Sequence, residues 1–333
     1  VAGESQPILK DHDATQIVNA DSRYEYGFDL GGYFVKDRLW FFGAYNRVDR
    51  TDATTVINEI STPNSPVPGS VIDADISEDL YAGKLTWRIN NNNNLQASIF
   101  GDPTTREGNV FNISGPESTW KGKRETGSDD YVVRYDGVFG GSWVVEGLYG
   151  LHQESDSTSG PGKSIPNYID TRPSGPDALS GGFGFHQDQD FEREVFKADV
   201  SKFVGNFEIK FGADQEHTSA VNANWNGGAG QRIYIFNNRA PGGGPTVYRH
   251  RYYIDDRNPN LNLADPSTWT IAAPLVSEPD SVSTAAYAQA SWKVMPNFTL
   301  NFGFRWEAQE INDRFGDQSI KIDDNYAPRL AFI

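Results

Sequence analysis

Hydrophobic and polar positions alternate along residues 81–89, pause on five asparagines at 90–94, and alternate again along 95–99. Successive side chains of an extended strand point to opposite sides. Tyr81, Gly83, Leu85, Trp87 and Ile89 therefore share one face, and Ala82, Lys84, Thr86 and Arg88 the other. Leu95, Ala97 and Ile99 oppose Gln96 and Ser98 in the same way. Asparagine tolerates positive φ and bonds to its own backbone, so the run predicts the turn of a hairpin between two half-buried strands.

The pattern recurs. Tyr24, Tyr26, Phe28, Leu30 and Phe34 oppose Glu25, Asp29 and glycines, and a KDR turn leads into 39–48, where both faces are apolar and the outward side stays open. Tyr131, Val133, Tyr135 and Phe139 precede a Gly140-Gly141 turn and the run Trp143, Val145, Gly147, Tyr149, Leu151. Phe196, Ala198 and Val200 pair in pattern with Phe207, Ile209, Phe211 and Ala213. Ala286, Ala288, Ala290 and Trp292 lead through an MPN turn to Phe298, Leu300, Phe302, Phe304 and Trp306. About ten strands in five hairpins are predicted, with an eleventh beginning near Ala327.

Connection lengths separate a membrane sheet from a soluble one. Turns within hairpins are short, whereas the segments between hairpins, at 51–78, 102–128, 153–189, 216–281 and 311–325, are long and polar. If every strand crosses one layer, all short turns lie on one side of it and all long loops on the other, as in outer-membrane barrels. Aromatics crowd the strand ends beside the short turns: Phe34, Trp40, Trp87, Phe139, Trp143, Phe203, Phe207, Trp292 and Phe298. Rings with an apolar body and a polar rim favour the membrane–water interface. A soluble sandwich, such as a sugar-binding β-protein, buries its aromatics between two sheets and predicts neither regularity. The expectation is an all-β, transmembrane, antiparallel up-and-down β-barrel, greasy outside and wet within, in the outer membrane of a Gram-negative bacterium.

Composition agrees. Of 333 residues, 37% are hydrophobic, and the most apolar stretch, 39–45, is far too short for a spanning helix. A net charge of −16 disfavours nucleic acid as a partner, because phosphates need a basic surface. Without cysteine there is neither disulfide nor thiolate metal site. The first 16 residues carry no leader pattern and the last nine start a new alternation, so both ends read as cut from something longer.

The stretches GFDLGGYFVKDRLWFFGAYNR (27–47), YAGKLTWRINNNNNLQASIFGDPT (81–104), AYAQASWKVMPNFTLNFGFRWE (286–307) and NYAPRLAF (325–332) resemble the barrel of TonB-dependent outer-membrane receptors and transporters, in particular the Oar-like group. The resemblance implies a 22-stranded barrel, an N-terminal plug, and a TonB box coupling transport to the inner-membrane proton gradient. Residues 1–333 then form a segment of a single barrel domain, with plug and C-terminal strands outside this chain. The implied function is capture of a small-molecule, glycan or peptide ligand by extracellular loops and its passage through a plugged lumen, with outer-membrane lipid and the TonB complex as partners. A non-energised barrel serving as porin, adhesin or surface scaffold is the alternative.

Candidate chemistry is sparse, and no enzyme, cofactor or metal site is expected. SGPGKS at 159–164 mimics a phosphate-binding loop, but Ser157 stands where the first glycine belongs. His12, His152, His186, His217 and His250 lack paired ligand spacing. Asp256, Asn258 and Asn260 have the spacing of a calcium loop, but Leu261 and Ser267 replace its glycine and glutamate, so a capped turn is expected. The 216–281 segment interleaves aromatics and arginines, and Trp225, Tyr234, Phe236, Tyr248, Arg249, His250, Arg251, Tyr252 and Tyr253 are the candidate ligand-binding residues. The same stretch alternates well enough to form an extra hairpin extending the barrel above the membrane. The membrane-interface set is Phe34, Trp40, Trp87, Phe139, Trp143, Phe207, Trp292 and Phe298.

Overall fold

The computed structural model describes residues 16–172, 177–237 and 244–333; His12 lies outside them. The first strands are β1 (Gln16–Val35), β2 (Leu39–Val56), β3 (Val71–Asn90), β4 (Asn93–Gly101), β5 (Thr104–Asn109), β6 (Lys121–Phe139) and β7 (Trp143–Ser159). Two short strands, β8 (Asn167–Asp170) and β9 (Ala178–Gly181), precede β10 (Phe185–Val204) and β11 (Phe207–Asn226). Then come β12 (Gln231–Asn237), β13 (Thr246–Ile254), β14 (Ile271–Ala272), β15 (Leu275–Ser277), β16 (Asp280–Met295), β17 (Phe298–Asn312) and β18 (Gln318–Phe332).

The long strands form one antiparallel sheet in the order β1-β2-β3-β4-β6-β7-β10-β11-β16-β17-β18, with β5 and β15 attached beside it. Each neighbour follows in chain order, as hairpin connections require. The expected hairpins are present, but the strands run far past the membrane. About half of 51–78, 102–128 and 153–189 is strand, and the last strand begins at Gln318, not near Ala327. The polar content of these extensions made them read as loops, because outside the bilayer neither face has to be greasy. The asparagine run is likewise tighter than expected: only residues 91 and 92 turn, and the Asn90 side chain accepts from the Asn92 N–H at 2.9 Å. Gly140 and Gly141 both take positive φ, 55° and 69°, as a tight hairpin turn demands.

Register assigns the faces. Directly opposed residues share a face, so a row of pairs can be followed from strand to strand. One row reads Leu39, Trp87, Leu95, Tyr135, Gly147, Ala198, Ala213, Ala286, Trp306, Tyr326. Its neighbour on the opposite face reads Trp40, Thr86, Gln96, Arg134, Leu148, Lys197, Asp214, Ala285, Glu307, Asn325. The first row is apolar or small throughout; the second is mostly polar. The apolar row starts beside a short turn at Leu39 and has climbed far up its strand by Trp306, one pair before its end at Tyr326, which is the stagger of tilted barrel strands. β2 therefore turns Phe41, Gly43 and Tyr45 to the apolar face, which settles the side left open for 39–48.

The buried side chains lie elsewhere. Val48, Val56, Ala74, Ile76, Ile113, Trp120 and Phe183 are each under 5% exposed, and all lie at the long-loop end, where loops fold together. The apolar face of the sheet stays bare, with Phe28 70%, Phe196 55% and Phe304 50% exposed. A contiguous apolar face of this size marks a surface that meets lipid or another protein, and its continuity across ten strands fits lipid.

Above the sheet, β14-β13-β12-β8-β9 form a second, five-stranded sheet in which β12 pairs β8 in parallel. The hairpin at 231–254 thus does form. It joins strands from the 160–184 connection and does not extend the main sheet.

Candidate functional site

Three surfaces carry the chemistry. The first is the apolar belt. On that face Phe139, Gly137, Tyr135, Val133 and Tyr131 rise from a short turn to the first charge, Asp129, ten residues up β6. Ten residues at about 3.3 Å each, tilted about 40°, span roughly 25 Å, the height of an outer-membrane belt. On β10 the belt ends at Glu194, on β3 at Asp79 and on β2 at Arg47. Tyrosines cap this upper boundary: the Tyr45 hydroxyl donates to Asp79, Tyr81 to Asp129, and Tyr149 to Glu194 at 2.8 Å. Sequence reasoning missed this upper rim; its local signal was Asp79–Tyr81 and Asp129–Tyr131, each two positions apart on one face, whereas Tyr45 and Tyr149 meet their carboxylates only across strands.

The aromatics expected at the interface lie at the short-turn end of the sheet. Phe207 and Trp292 stack at 5.2 Å, and Trp143 carries the Lys202 ammonium 4.5 Å above its ring. Phe34 stacks on Phe41 at 4.5 Å from a register irregularity at the end of β1. Phe139 opposes Trp143, Trp87 opposes Leu95, and Phe298 lies 6.3 Å from Phe332. Trp40 differs. It opposes Thr86 on the polar face and lies under the Arg88 guanidinium at 5.5 Å, because β2 turns Phe41 outward instead.

The second surface is the polar inner wall. Glu146, Lys210 and Asp199 form a chain, with Lys210 Nζ 3.4 Å from Glu146 and 3.5 Å from Asp199. The Tyr287 hydroxyl donates to Asp199, which is 6% exposed, and Arg305 holds Asp214 at 3.0 Å. Gly212 sits beneath this contact; a Cβ there would overlap both the Asp199 carboxylate and the Tyr287 ring. These groups border a concavity of about 970 Å³ lined by Lys197, Glu208, Lys210, Tyr287, Arg305 and Arg329.

The third surface is the extracellular cap. Lys163, from the supposed phosphate loop, lies instead on a 3-10 turn, paired with Asp188 at 2.9 Å and 4.2 Å over the Trp225 ring. Trp225 also meets His186 edge-on at 4.0 Å, and Phe183 packs between His186 and Phe111. His186 is 2% exposed, neither ring nitrogen has a partner, and burial together with the Lys163 charge pushes its pKa down to about 4. The supposed calcium loop is a capped turn: Asp255 accepts from the Arg257 backbone and guanidinium, which lowers its pKa, and Asn258 accepts from the Asn260 N–H.

The remaining ligand candidates divide over the two faces of the β12–β13 hairpin. Arg251 lies 4.4 Å over Tyr234 and Arg249 5.1 Å over Phe236 on one face. Register puts Tyr253 there too, and Tyr248, His250 and Tyr252 on the other. His250 donates from Nδ1 to the Gln231 Oε1 at 2.8 Å and stacks on Tyr252. Trp225 is apart from both groups, in the His186 cluster. The structure thus gathers part of the predicted set and separates the rest.

Comparison with known proteins places this architecture. A family model described as an outer membrane beta barrel domain matches residues 64–329. The TonB-dependent transporter Oar of Myxococcus xanthus is 23% identical over 93% of this chain, and the match covers 35% of Oar. The outer-membrane transporter YddB of Escherichia coli superposes with a TM-score of 0.54 at 16% identity, over 93% of this chain and 36% of YddB. FpvA of Pseudomonas aeruginosa, solved bound to heterologous pyoverdines, superposes with a TM-score of 0.55 at 9% identity, over 95% of this chain and 39% of FpvA. The chain spans little more than a third of the length of these relatives.

Proposed function

From the premise that the chain belongs to the outer membrane beta barrel domain family, and so resides in the outer membrane of a Gram-negative bacterium, we propose that it is the barrel portion of a TonB-dependent transporter. Extracellular loops capture a ligand, and a plug contributed by sequence outside residues 1–333 gates its passage through the lumen. The observation that carries this reading is the pair of adjacent rows, one apolar across ten strands and one polar, which makes a lipid-facing belt around a hydrated wall. The likeness to Oar, named a TonB-dependent transporter, supports the energised version of that barrel.

Roles follow from the faces. The belt residues hold the sheet in lipid. The inner wall, with Lys210, Tyr287 and Arg305 around Asp199 and Asp214, offers the fixed charges against which a polar plug docks. β1 and β18 stand at opposite edges of the sheet, unpaired with each other, and an unpaired edge is untenable in hydrocarbon. The proposal therefore includes further strands that close a larger barrel, of which residues 1–333 are one segment. No covalent step belongs to the mechanism.

The test is the gene product isolated from outer membranes in detergent, its intact mass and N-terminal peptides determined, followed by ligand accumulation in cells with and without TonB. A plug ahead of Val1 and accumulation that stops without TonB are expected. A chain with no plug, or accumulation indifferent to TonB, would overturn the energised mechanism and leave a porin, adhesin or scaffold.

A further inference from the structure

Residues 227–254 contain four arginines, one histidine and no acid, a stretch in which 45 acids in 333 residues would place about four. Three of these arginines share one face of the β12–β13 hairpin: Arg232 opposes Arg251 directly, and Arg249 follows two positions along β13. Like charges directly opposite on a sheet repel. No carboxylate relieves them among the described residues, and the Arg232 Nε is buried without a partner. The neighbouring extracellular arginines behave differently: Arg106, Arg124, Arg172, Arg193, Arg257 and Arg314 each reach a carboxylate. In a chain of net charge −16, an acid-free triplet is the feature least explained by folding alone.

The aromatic floor sharpens the geometry. Arg251 lies 4.4 Å over Tyr234 and Arg249 5.1 Å over Phe236. Arg251 also donates from Nη1 to the Tyr234 hydroxyl at 3.4 Å; a guanidinium held on a ring keeps its position while its remaining N–H groups can meet an oxyanion. Arg249 and Arg251 are both exposed, and their anchor points are about 7 Å apart along the strand.

We propose that this face of the extracellular sheet, formed by Arg232, Arg249 and Arg251 over Tyr234 and Phe236, is the capture site for a ligand carrying at least two oxyanion groups, carboxylate or phosphate. The inference rests on the reading of the chain as a ligand-capturing barrel and names the chemistry of what it captures. Two anionic groups spaced to reach Arg249 and Arg251 relieve the repulsion that the free hairpin bears.

The test titrates the full-length, detergent-solubilised protein with citrate and with pyrophosphate, which separate the two oxyanion types. Binding of at least one is expected, weakening as salt rises and falling at least about tenfold in Arg249→Gln/Arg251→Gln. Arg257→Gln/Arg314→Gln, whose arginines are already paired with Asp255 and Asp256, is the charge-matched control and is expected to bind as the parent does. Heat-modifiable gel mobility confirms that each variant keeps its barrel. Failure of both probes to bind the parent, or equal loss in the control, overturns the proposal. TonB-dependent accumulation is read in parallel: capture without accumulation sinks the transport reading alone, and TonB-dependent accumulation of a neutral cargo with no anion capture sinks the anion site alone.

Discussion

Ala288 and Gln289 are consecutive on β16, and the register puts them on opposite faces of the sheet. Ala288 opposes Phe211 and Phe304 on the apolar face; Gln289 opposes Lys210 and Gly303 on the polar one. Ala288 lies four residues from Trp292 at the lower rim and four from Thr284 at the upper, so it sits about 10 Å from each boundary, near the bilayer midplane. An arginine there has no partner and cannot reach either interface without distorting the belt. Ala288→Arg is expected to cost about 2–4 kcal/mol of folding free energy in lipid, and Gln289→Arg less than about 1 kcal/mol, because the second guanidinium meets a hydrated wall. The measurement is denaturant titration of the full-length protein in phospholipid vesicles, with tryptophan emission and gel mobility as coincident probes. Equal costs at the two positions, or the larger at Gln289, would refute the assignment of faces and with it the membrane sheet.

Two further outcomes follow from local geometry. Gly212→Ala is expected to cost about 1–3 kcal/mol by driving Tyr287 off Asp199, whereas Gly147→Ala, with open space at its Cβ, stays within about 0.5 kcal/mol; the same vesicle titration reads both. His186 makes the cap acid-sensitive. Its folded pKa of about 4 lies below the unfolded value near 6.5, so the unfolded cap binds the extra proton; the cap's stability is full above about pH 6.5 and falls by up to about 3 kcal/mol as pH drops toward 4. Hydrogen exchange across 160–186, corrected for intrinsic rates, is expected to quicken over that window in the parent and to stay level in His186→Leu. A level profile in the parent would refute the mechanism.

The belt was legible in the sequence because lipid and water enforce a period of two wherever a strand crosses. Trp292 and Phe207 could be placed at the rim before their stacking was visible, since distance from a short turn fixes height. Trp40 could not be assigned to a face. In 39–48 both faces are apolar, and a one-residue ambiguity moves a side chain from lipid to lumen; only pairing with Thr86 resolves it. The extramembrane strands were hidden for a related reason. Along 51–56 and 71–78 neither face meets lipid, so nothing imposes alternation, and the backbone ladder from Thr51–Asp75 to Thr55–Val71 forms without it. The hairpin at 231–254 was visible as alternation, but its parallel pairing with β8 depends on a contact between residues more than sixty positions apart, and local pattern carries no information about that.

The same division of solvents explains where this protein can change. The sheet is held by lipid on one side and by inner-wall contacts such as Asp199 with Tyr287 and Lys210 on the other, both repeated from strand to strand. The cap has its own core around Phe183 and Trp120, and at the head of β10 and β11 the Lys163–Asp188 pair and the Gly227 N–H donating to Gly184 tie it to the sheet. Because these ties lie at the strand heads, outside the belt, exposed positions of the cap tolerate substitution without disturbing the belt, which is the condition under which binding specificity can drift while the barrel stays constant. The arginine face lies wholly on that side of the boundary. Its uncompensated charge is affordable there because water screens it, whereas the same triplet in the belt would prevent insertion.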